Sequence, residues 1–113
     1  MHEMSLAEGM LQVVEEGARG HAATRVRAVW VEIGALAQVE VDALRFCFDA
    51  VARGTLAEGA RLEIVARPGA AWCMPCGAQV EITRHGDACP LCGSYQLQVV
   101  RGDDMRVREL EVV

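Results

Sequence analysis

The 113-residue sequence contains no lysine. All 11 of its basic residues are arginine, they stand against 16 acidic residues, and the formal net charge is -5. Phosphate contacts need a cationic face, and this chain has little positive charge from which to build one. We therefore expect no nucleic-acid partner. We attribute the missing lysine to the Ala, Arg, Gly and Val bias of the coding genome and assign it no function.

Long apolar runs are also missing. No stretch approaches the roughly 20 apolar residues of a membrane span, and the first ten residues, which include Glu3 and Glu8, lack the basic start and apolar core of a secretory signal. We expect a cytoplasmic protein with no membrane partner. The hydrophobic content of 52% is too high for disorder, and 113 residues leave room for one domain plus a small stapled module.

Two segments have the apolar spacing of a helix. Residues 5–18 place apolar side chains three and four positions apart, and Ser5 with Glu8 fits a capping box at the helix start. Residues 41–53 repeat this spacing, with Asp42 as the expected cap. The sequence therefore predicts two amphipathic helices.

Three segments read as strands, near 25–33, 61–67 and 105–112. The alternation of the last strand slips phase between Val107 and Leu110, which predicts a bulge or a frayed end. We predict an α+β fold in which two helices cover one face of a three-stranded sheet.

Four of the five cysteines form two pairs, Cys73-Met-Pro-Cys76-Gly77 and Cys89-Pro-Leu-Cys92-Gly93, with twelve residues between the pairs. In a reducing compartment such pairs are metal ligands more readily than disulfides. Four thiolates at this spacing match tetrahedral zinc and leave no open position for catalysis, so the predicted zinc is structural. An iron site on the same sulfurs and a redox disulfide pair are weaker alternatives.

The cysteine segment is too small to fold without its metal, because about 30 residues cannot bury enough surface. We predict a zinc-ribbon domain over residues 70–102, inserted into a domain made of residues 1–69 and 103–113. His85 lies between the two cysteine pairs, where we expect a solvated side chain rather than a ligand. Cys47 stands apart as an expected buried small side chain.

The amino terminus carries a second candidate metal site. In Met1-His2-Glu3 the α-amine, the His2 backbone nitrogen and the His2 Nδ1 can close a five- and a six-membered chelate ring around one ion. Such nitrogen donors suit Ni(II) or Cu(II), and Glu3 adds a backbone nitrogen or a carboxylate. Taken alone the signal is weak, because a histidine at position 2 is usually just an exposed residue.

Together these features resemble a known family. The start Met1-His2-Glu3-Met4-Ser5, the segment Glu32-Ile33-Gly34, residues 44–48, the cysteine pairs and residues 109–112 are similar to the HypA/HybF family of hydrogenase nickel-incorporation proteins. The resemblance implies a nickel metallochaperone, not an enzyme. It further implies a nickel domain, a zinc domain and a partner GTPase that helps to load nickel into the [NiFe]-hydrogenase large subunit.

The resemblance also assigns residues. It carries nickel binding onto His2, the Met1 amine and Glu3, and it carries zinc binding onto the four paired cysteines, Cys73, Cys76, Cys89 and Cys92. Some relatives have histidines after their second cysteines, where this chain has Gly77 and Gly93. Glu40 falls near an acidic position that some relatives place close to the nickel, and we expect it in the surroundings of the ion rather than as a ligand.

A different class of function stays open at this point. A zinc-ribbon adaptor could bind another protein without using the amino terminus at all. The sequence has no phosphate-binding glycine loop and no evident nucleophile and base pair, so GTP chemistry would have to come from a partner. The pattern leaves open whether the chain forms a homodimer.

Overall fold

The computed structural model describes residues 2–113, which form two helices and six strands. In chain order they are α1 (Glu3–Gly20), β1 (Val26–Gly34), α2 (Val41–Ala52), β2 (Arg61–Arg67), β3 (Gly69–Cys73), β4 (Ala78–Ile82), β5 (Leu97–Arg101) and β6 (Met105–Val112). No helix within this described part is long and apolar enough to cross a bilayer.

The strands form two sheets of three. The first has the order β2-β1-β6, so the three strands predicted from the alternation pair with one another and β1 lies in the middle. The second has the order β4-β3-β5, and both of its pairings are antiparallel. The predicted α+β fold is confirmed, with a second sheet in the cysteine segment.

The chain divides into two compact units. Unit 1 contains residues 1–32, 39–65 and 106–113, and unit 2 contains residues 33–38 and 66–105. Unit 1 therefore holds both helices, and unit 2 holds the four paired cysteines. The sequence-based boundaries after residue 69 and before residue 103 stay a prediction.

The start of α1 differs from the expectation. The helix begins at Glu3 instead of Ser5, and its N-cap residue His2 makes no side-chain cap hydrogen bond. The first intrahelical bond runs from the Leu6 N–H to the His2 carbonyl, at 3.0 Å. The predicted capping box of Ser5 and Glu8 is therefore wrong, because both residues already lie inside the helix.

The core of unit 1 lies between the helices and the sheet. Helix α1 buries one stripe, consisting of Ala7, Met10, Val14 and Ala18. Helix α2 buries Leu44, Phe48 and Ala52, and α1 and α2 pack against each other. Strand β1 contributes the fully buried Val26, Ala28, Val29 and Val31. Such a continuous apolar run is expected of a central strand.

The burial pattern of the outer strand β6 changes phase where the sequence does, whereas the predicted bulge or frayed end stays a prediction. Burial alternates along the strand until Arg108 and Glu109, which are both exposed, and the alternation then continues in the other phase. Leu110 thereby points toward α1, where its Cδ1 lies 3.0 Å from the position that a Cβ on Gly17 would take.

Glu32 is a buried acid in β1 and is held by two arginines of β6. Its Oε2 accepts from the Arg106 Nε at 3.3 Å, and its Oε1 lies 3.6 Å from the Arg108 Nε. We expect Glu32→Ala to lower the free energy of unfolding by about 1–3 kcal/mol, because it removes charge-assisted hydrogen bonds between two strands.

Urea unfolding followed by circular dichroism measures this loss. The matched control is Glu63→Ala, which removes an exposed pair with Arg61 at 2.7 Å. An exposed pair of this kind contributes about 0.2–1 kcal/mol. Equal losses in the two variants would contradict a special role of Glu32.

Three glycines bring separate backbone segments together within unit 2. A Cβ on Gly34 would lie 2.0 Å from the Gly102 carbonyl oxygen, and a Cβ on Gly102 would lie 2.6 Å from the Gly69 Cα. The Leu36 N–H donates to the Gly102 carbonyl at 2.8 Å. The approach requires residues without a side chain at these positions.

Candidate metal sites

The four paired cysteines meet in unit 2. Their sulfurs all lie within 4.8 Å of one another, and the two pairs are joined by contacts of 3.6 Å between Cys73 and Cys92 and 3.9 Å between Cys76 and Cys89. Four sulfurs at about 2.3 Å from a tetrahedral Zn²⁺ would be about 3.8 Å apart. The cluster is therefore suited to zinc.

Each pair forms a tight turn that aims two sulfurs at the same point. The Gly77 N–H donates to the Cys73 carbonyl at 2.9 Å, and the Gly93 N–H donates to the Cys89 carbonyl at 2.8 Å. Gly77 and Gly93 have φ of 60° and 77°, a region that favours glycine. The positive φ of these two glycines lets each turn close directly after its second cysteine.

The second sheet positions the first cysteine pair. Cys73 ends β3, where it stands opposite Ala78 of β4 and Leu97 of β5. The central hydrophobic cluster of unit 2 has six buried members, two of them metal-ligand candidates: Leu36, Ala71, Cys73, Val80, Ile82 and Cys89. A core this small makes the fold of unit 2 depend on the metal.

The thiols compete for protons in this cluster. Burial raises the pKa of Cys89, but N–H donation from the backbone of Cys92 and Leu91 outweighs it and lowers the pKa to about 7. Hydrogen bonds with the sulfurs of Cys92 and Cys73 raise the pKa of Cys76 to about 12. Four adjacent thiolates repel one another, so full ionisation requires a cation among them.

His85 is not part of the cluster. Its Nε2 donates to the Leu36 carbonyl at 3.0 Å, and the metal-binding group found among residues 2–113 contains four cysteines and no histidine. That His85 is no zinc ligand stays a prediction. The hydrogen bond ties the loop between the cysteine pairs to residues 33–38 of the same unit.

The second candidate site lies at the start of α1. His2 is exposed, while Met1 and its amine lie outside the described residues. The Glu3 Oε2 accepts from the Glu40 N–H at 3.1 Å, and this hydrogen bond lowers the pKa of the Glu3 carboxyl. The first residue of α1 is thus joined to the residue before α2.

Glu40 rather than Asp42 caps α2. The Glu40 side chain accepts from the Asp42 N–H at 3.1 Å, so the cap predicted at Asp42 is wrong by two residues. Glu40 therefore makes two structural hydrogen bonds. Its N–H donates to the Glu3 carboxylate, and its own carboxylate accepts from the first turn of α2. The sequence contains no local signal for the Glu3 contact, because the two residues are 37 positions apart.

The chain is similar to known proteins over almost its whole length. Residues 1–112 match the family model described as hydrogenase/urease nickel incorporation, metallochaperone, hypA. The chain belongs to the HypA family. It is 64% identical to the hydrogenase maturation factor HypA of Azotobacter vinelandii and 61% identical to that of Alkalilimnicola ehrlichii, each over 112 residues and 99% of both chains.

A solved HypA structure has the same fold. The solution structure of the Ni metallochaperone HypA from Helicobacter pylori superposes with a TM-score of 0.74, covering 100% of this chain and 98% of that one at 24% identity. At this identity the likeness concerns the fold alone. The resemblance to the HypA/HybF family and the predicted hydrogenase-maturation context are confirmed.

Membership in the HypA family adds a nickel function to the metal cluster that the structure shows. The family is one of nickel incorporation, and the four-cysteine cluster of this HypA-family chain is suited to zinc. A maturation factor acts on other proteins, so partners in hydrogenase maturation follow from the family.

Proposed function

We propose that this HypA-family protein binds Ni(II) at its amino terminus and delivers it, with a maturation GTPase, to the large subunit of [NiFe]-hydrogenase. In this role it is a carrier and not a catalyst. The observation that carries the proposal is the position of His2, an exposed residue at the N-cap of α1 whose side chain makes no cap hydrogen bond. The imidazole is not committed to the helix that follows it.

Three nitrogens form the core of the proposed nickel site: the Met1 amine, the His2 backbone nitrogen and the His2 Nδ1. These donors can occupy three of the four positions of a square-planar site, a geometry that suits Ni(II). We assign the fourth position to Glu3. A carboxylate can accept an N–H through one oxygen and ligate a metal through the other, so the hydrogen bond from Glu40 orients Glu3 for this role.

Such a site can release its nickel when protons compete for the ligands. A backbone nitrogen binds Ni(II) only after it loses its proton, so acid competes with the ion and the nickel affinity falls as the pH falls. The exposed position of His2 gives a recipient access to the ion. These properties suit a protein that must deliver its metal rather than keep it.

The zinc is proposed to have a purely structural task. Cys73, Cys76, Cys89 and Cys92 would hold it with four thiolates, which leaves no coordination position for water or substrate. Its chemistry is limited to joining the two cysteine turns. The zinc therefore maintains unit 2, while unit 1 carries the nickel.

Replacement of His2 tests the nickel site. We expect His2→Ala to weaken nickel binding by roughly 100-fold or more, because a ligand is lost together with its six-membered chelate ring. Equilibrium dialysis against nickel at neutral and mildly acidic pH measures the affinity. His21→Ala is the matched control, since His21 is also exposed and its Nδ1 donates to the Gly17 carbonyl at 3.2 Å.

Equal nickel binding by the wild type and His2→Ala would defeat the proposal. A variant with one glycine added before Met1 separates it from the zinc-ribbon adaptor alternative. The extension displaces the amine while all four cysteines stay intact. Unchanged nickel binding by this extended chain would argue for the adaptor.

A further inference from the structure

One residue just before α2 has a backbone conformation that its type disfavours. Gln38 has φ of 56°, in the left-handed region, and between residues 2 and 113 only Ala22 shares a positive φ without being glycine. In this region a side chain is crowded by its own backbone, so the conformation is uncommon for residues other than glycine, asparagine and aspartate. Local preference therefore does not account for the conformation of Gln38.

The side chain of Gln38 does not account for it either. This side chain is exposed, and it makes no hydrogen bond or ion pair within the part of the chain that the structure describes. Asparagine and aspartate tolerate the left-handed region because their short polar side chains can bond the nearby backbone, and Gln38 gains no such bond. The strain at this residue must be offset by contacts of its neighbours.

The residues before Gln38 are held by backbone hydrogen bonds. The Leu36 N–H donates to the Gly102 carbonyl at 2.8 Å, and the Ala37 N–H donates to the Gly34 carbonyl at 3.0 Å. Leu36 and Ala37 are both buried. Within unit 2 the chain is therefore fixed up to the residue before Gln38.

The residues after Gln38 make the two hydrogen bonds of Glu40. The Glu40 N–H donates to the Glu3 carboxylate at 3.1 Å, and the Glu40 carboxylate accepts from the Asp42 N–H at 3.1 Å. The peptide group is planar, so the direction of a backbone N–H is set by the dihedral angles of the residues before it. The turn at Gln38 thus determines where the Glu40 N–H points.

A role of this turn in the fold of α2 alone is the alternative. The cap of α2 needs only the Glu40 carboxylate, which bonds a residue two positions further on. The bond to Glu3 joins residues 37 positions apart and is not required for α2 to begin. It does hold one oxygen of a carboxylate that belongs to the proposed nickel site. The turn therefore serves more than the start of a helix.

We propose that Gln38 is a positioning residue of the nickel site, because its left-handed turn directs the Glu40 N–H at Glu3 and so holds the Glu3 carboxylate in place. This inference rests on the proposed function, in which Glu3 takes the fourth position around Ni(II). Gln38 acts through Glu40 and Glu3 and does not touch the ion. A ligand that is held before the ion arrives loses less freedom on binding, so the affinity is higher.

Replacement of Gln38 by valine tests this role in the zinc-loaded full chain. A β-branched side chain is strongly disfavoured at positive φ, so Gln38→Val should turn the backbone out of the left-handed region. We expect the nickel affinity in equilibrium dialysis to fall about tenfold, a loss typical of removing the hydrogen-bond partner of a metal ligand. Gln38→Asn, which tolerates positive φ, should keep the wild-type affinity.

Ala22→Val is the matched control for backbone strain. Ala22 is exposed and has φ of 51°, so valine there meets the same conflict in the turn that follows α1. A loss of stability alone would affect the two valine variants alike. Ala22→Val should therefore bind nickel like the wild type, and a tenfold loss in this variant as well would overturn the inference.

A double-mutant cycle with Glu3→Ala separates a positioning role from a general one. If Gln38 acts only through Glu3, Gln38→Val should weaken nickel binding in the wild-type chain and have no further effect when residue 3 is already alanine. Equal losses in the two backgrounds would overturn the inference. A Glu3→Ala chain with the wild-type nickel affinity would overturn it too, while the assignment of His2 would stand.

Amide hydrogen exchange of the zinc-loaded, nickel-free chain tests the structural step by itself. The Glu40 N–H should exchange about tenfold faster in Gln38→Val, because it loses its acceptor, and at the wild-type rate in Gln38→Asn and Ala22→Val. An unchanged Glu40 rate in Gln38→Val would overturn the inference at any nickel affinity. Failure of the proposed function has a different signature. His2→Ala would then bind nickel like the wild type, which removes the role of Gln38 at the site although the Glu40 exchange still responds.

Discussion

Cys73→Ser is expected to release the zinc and to unfold most of unit 2, while unit 1 keeps its helices and sheet. The Cys73 side chain is fully buried at the end of β3, and its sulfur lies 3.6 Å from that of Cys92. Structural zinc sites contribute about 10–16 kcal/mol of apparent binding free energy to folding. The six buried residues of the unit 2 core cannot replace a contribution of this size.

Elemental analysis and amide correlation spectra measure this outcome. We expect the zinc content to fall from one ion per chain to near zero, and the amide signals of residues 69–101 to collapse into the unfolded region. Signals of α1 and α2 should stay dispersed. Cys47→Ser is the matched control, because Cys47 lies in α2 outside the cluster. A zinc-loaded, fully dispersed Cys73→Ser protein would contradict the assignment.

The first sheet could be predicted because each of its strands carries its own signal. Strand β2 has the predicted bounds, residues 61–67, where alternating side chains are followed by Pro68. Strand β1 is largely buried on both faces, which is typical of the middle of a sheet. These signals are local in sequence, so periodicity alone finds them.

Strand β3 was missed for a physical reason. Its sequence Gly69-Ala-Ala-Trp-Cys73 has no alternation of apolar and polar residues, and it follows directly after Pro68. What makes it a strand is pairing with β4 on one side and β5 on the other. The pairing with β4 is a hairpin across the first cysteine turn, whereas the pairing with β5 joins Cys73 to the distant Leu97 and has no local signal.

The two candidate metal sites also differ in how far local sequence predicts them. The cysteine cluster could be predicted from spacing, because each turn is complete within five residues. The surroundings of the amino terminus could not, because the Glu3 carboxylate meets the Glu40 N–H across 37 positions. The correct cap of α2, Glu40 in place of Asp42, is part of this same contact. The position of the Glu3 side chain at the start of α1 is therefore set by tertiary packing.

The meeting of Gly34, Gly69 and Gly102 gives the other large expected effect. Gly102 has φ of 92°, and a Cβ there would lie 2.6 Å from the Gly69 Cα and 2.7 Å from the Pro68 carbonyl oxygen. These are backbone atoms, and the Leu36 N–H holds the Gly102 carbonyl at 2.8 Å. Backbone atoms cannot turn aside as the end of a flexible side chain can, so a Cβ on Gly102 would force the backbone itself to shift.

We therefore expect Gly102→Ala to lower the free energy of unfolding by about 4 kcal/mol or more, because a strained φ and a backbone clash are combined at one residue. Gly54→Ala separates the two causes, since Gly54 has φ of 77° but nothing within 4 Å of its added Cβ. That variant should lose only about 1 kcal/mol, the cost of φ strain. Urea unfolding of the zinc-loaded proteins measures both, and equal losses would show that the close approach at Gly102 adds nothing to the strain.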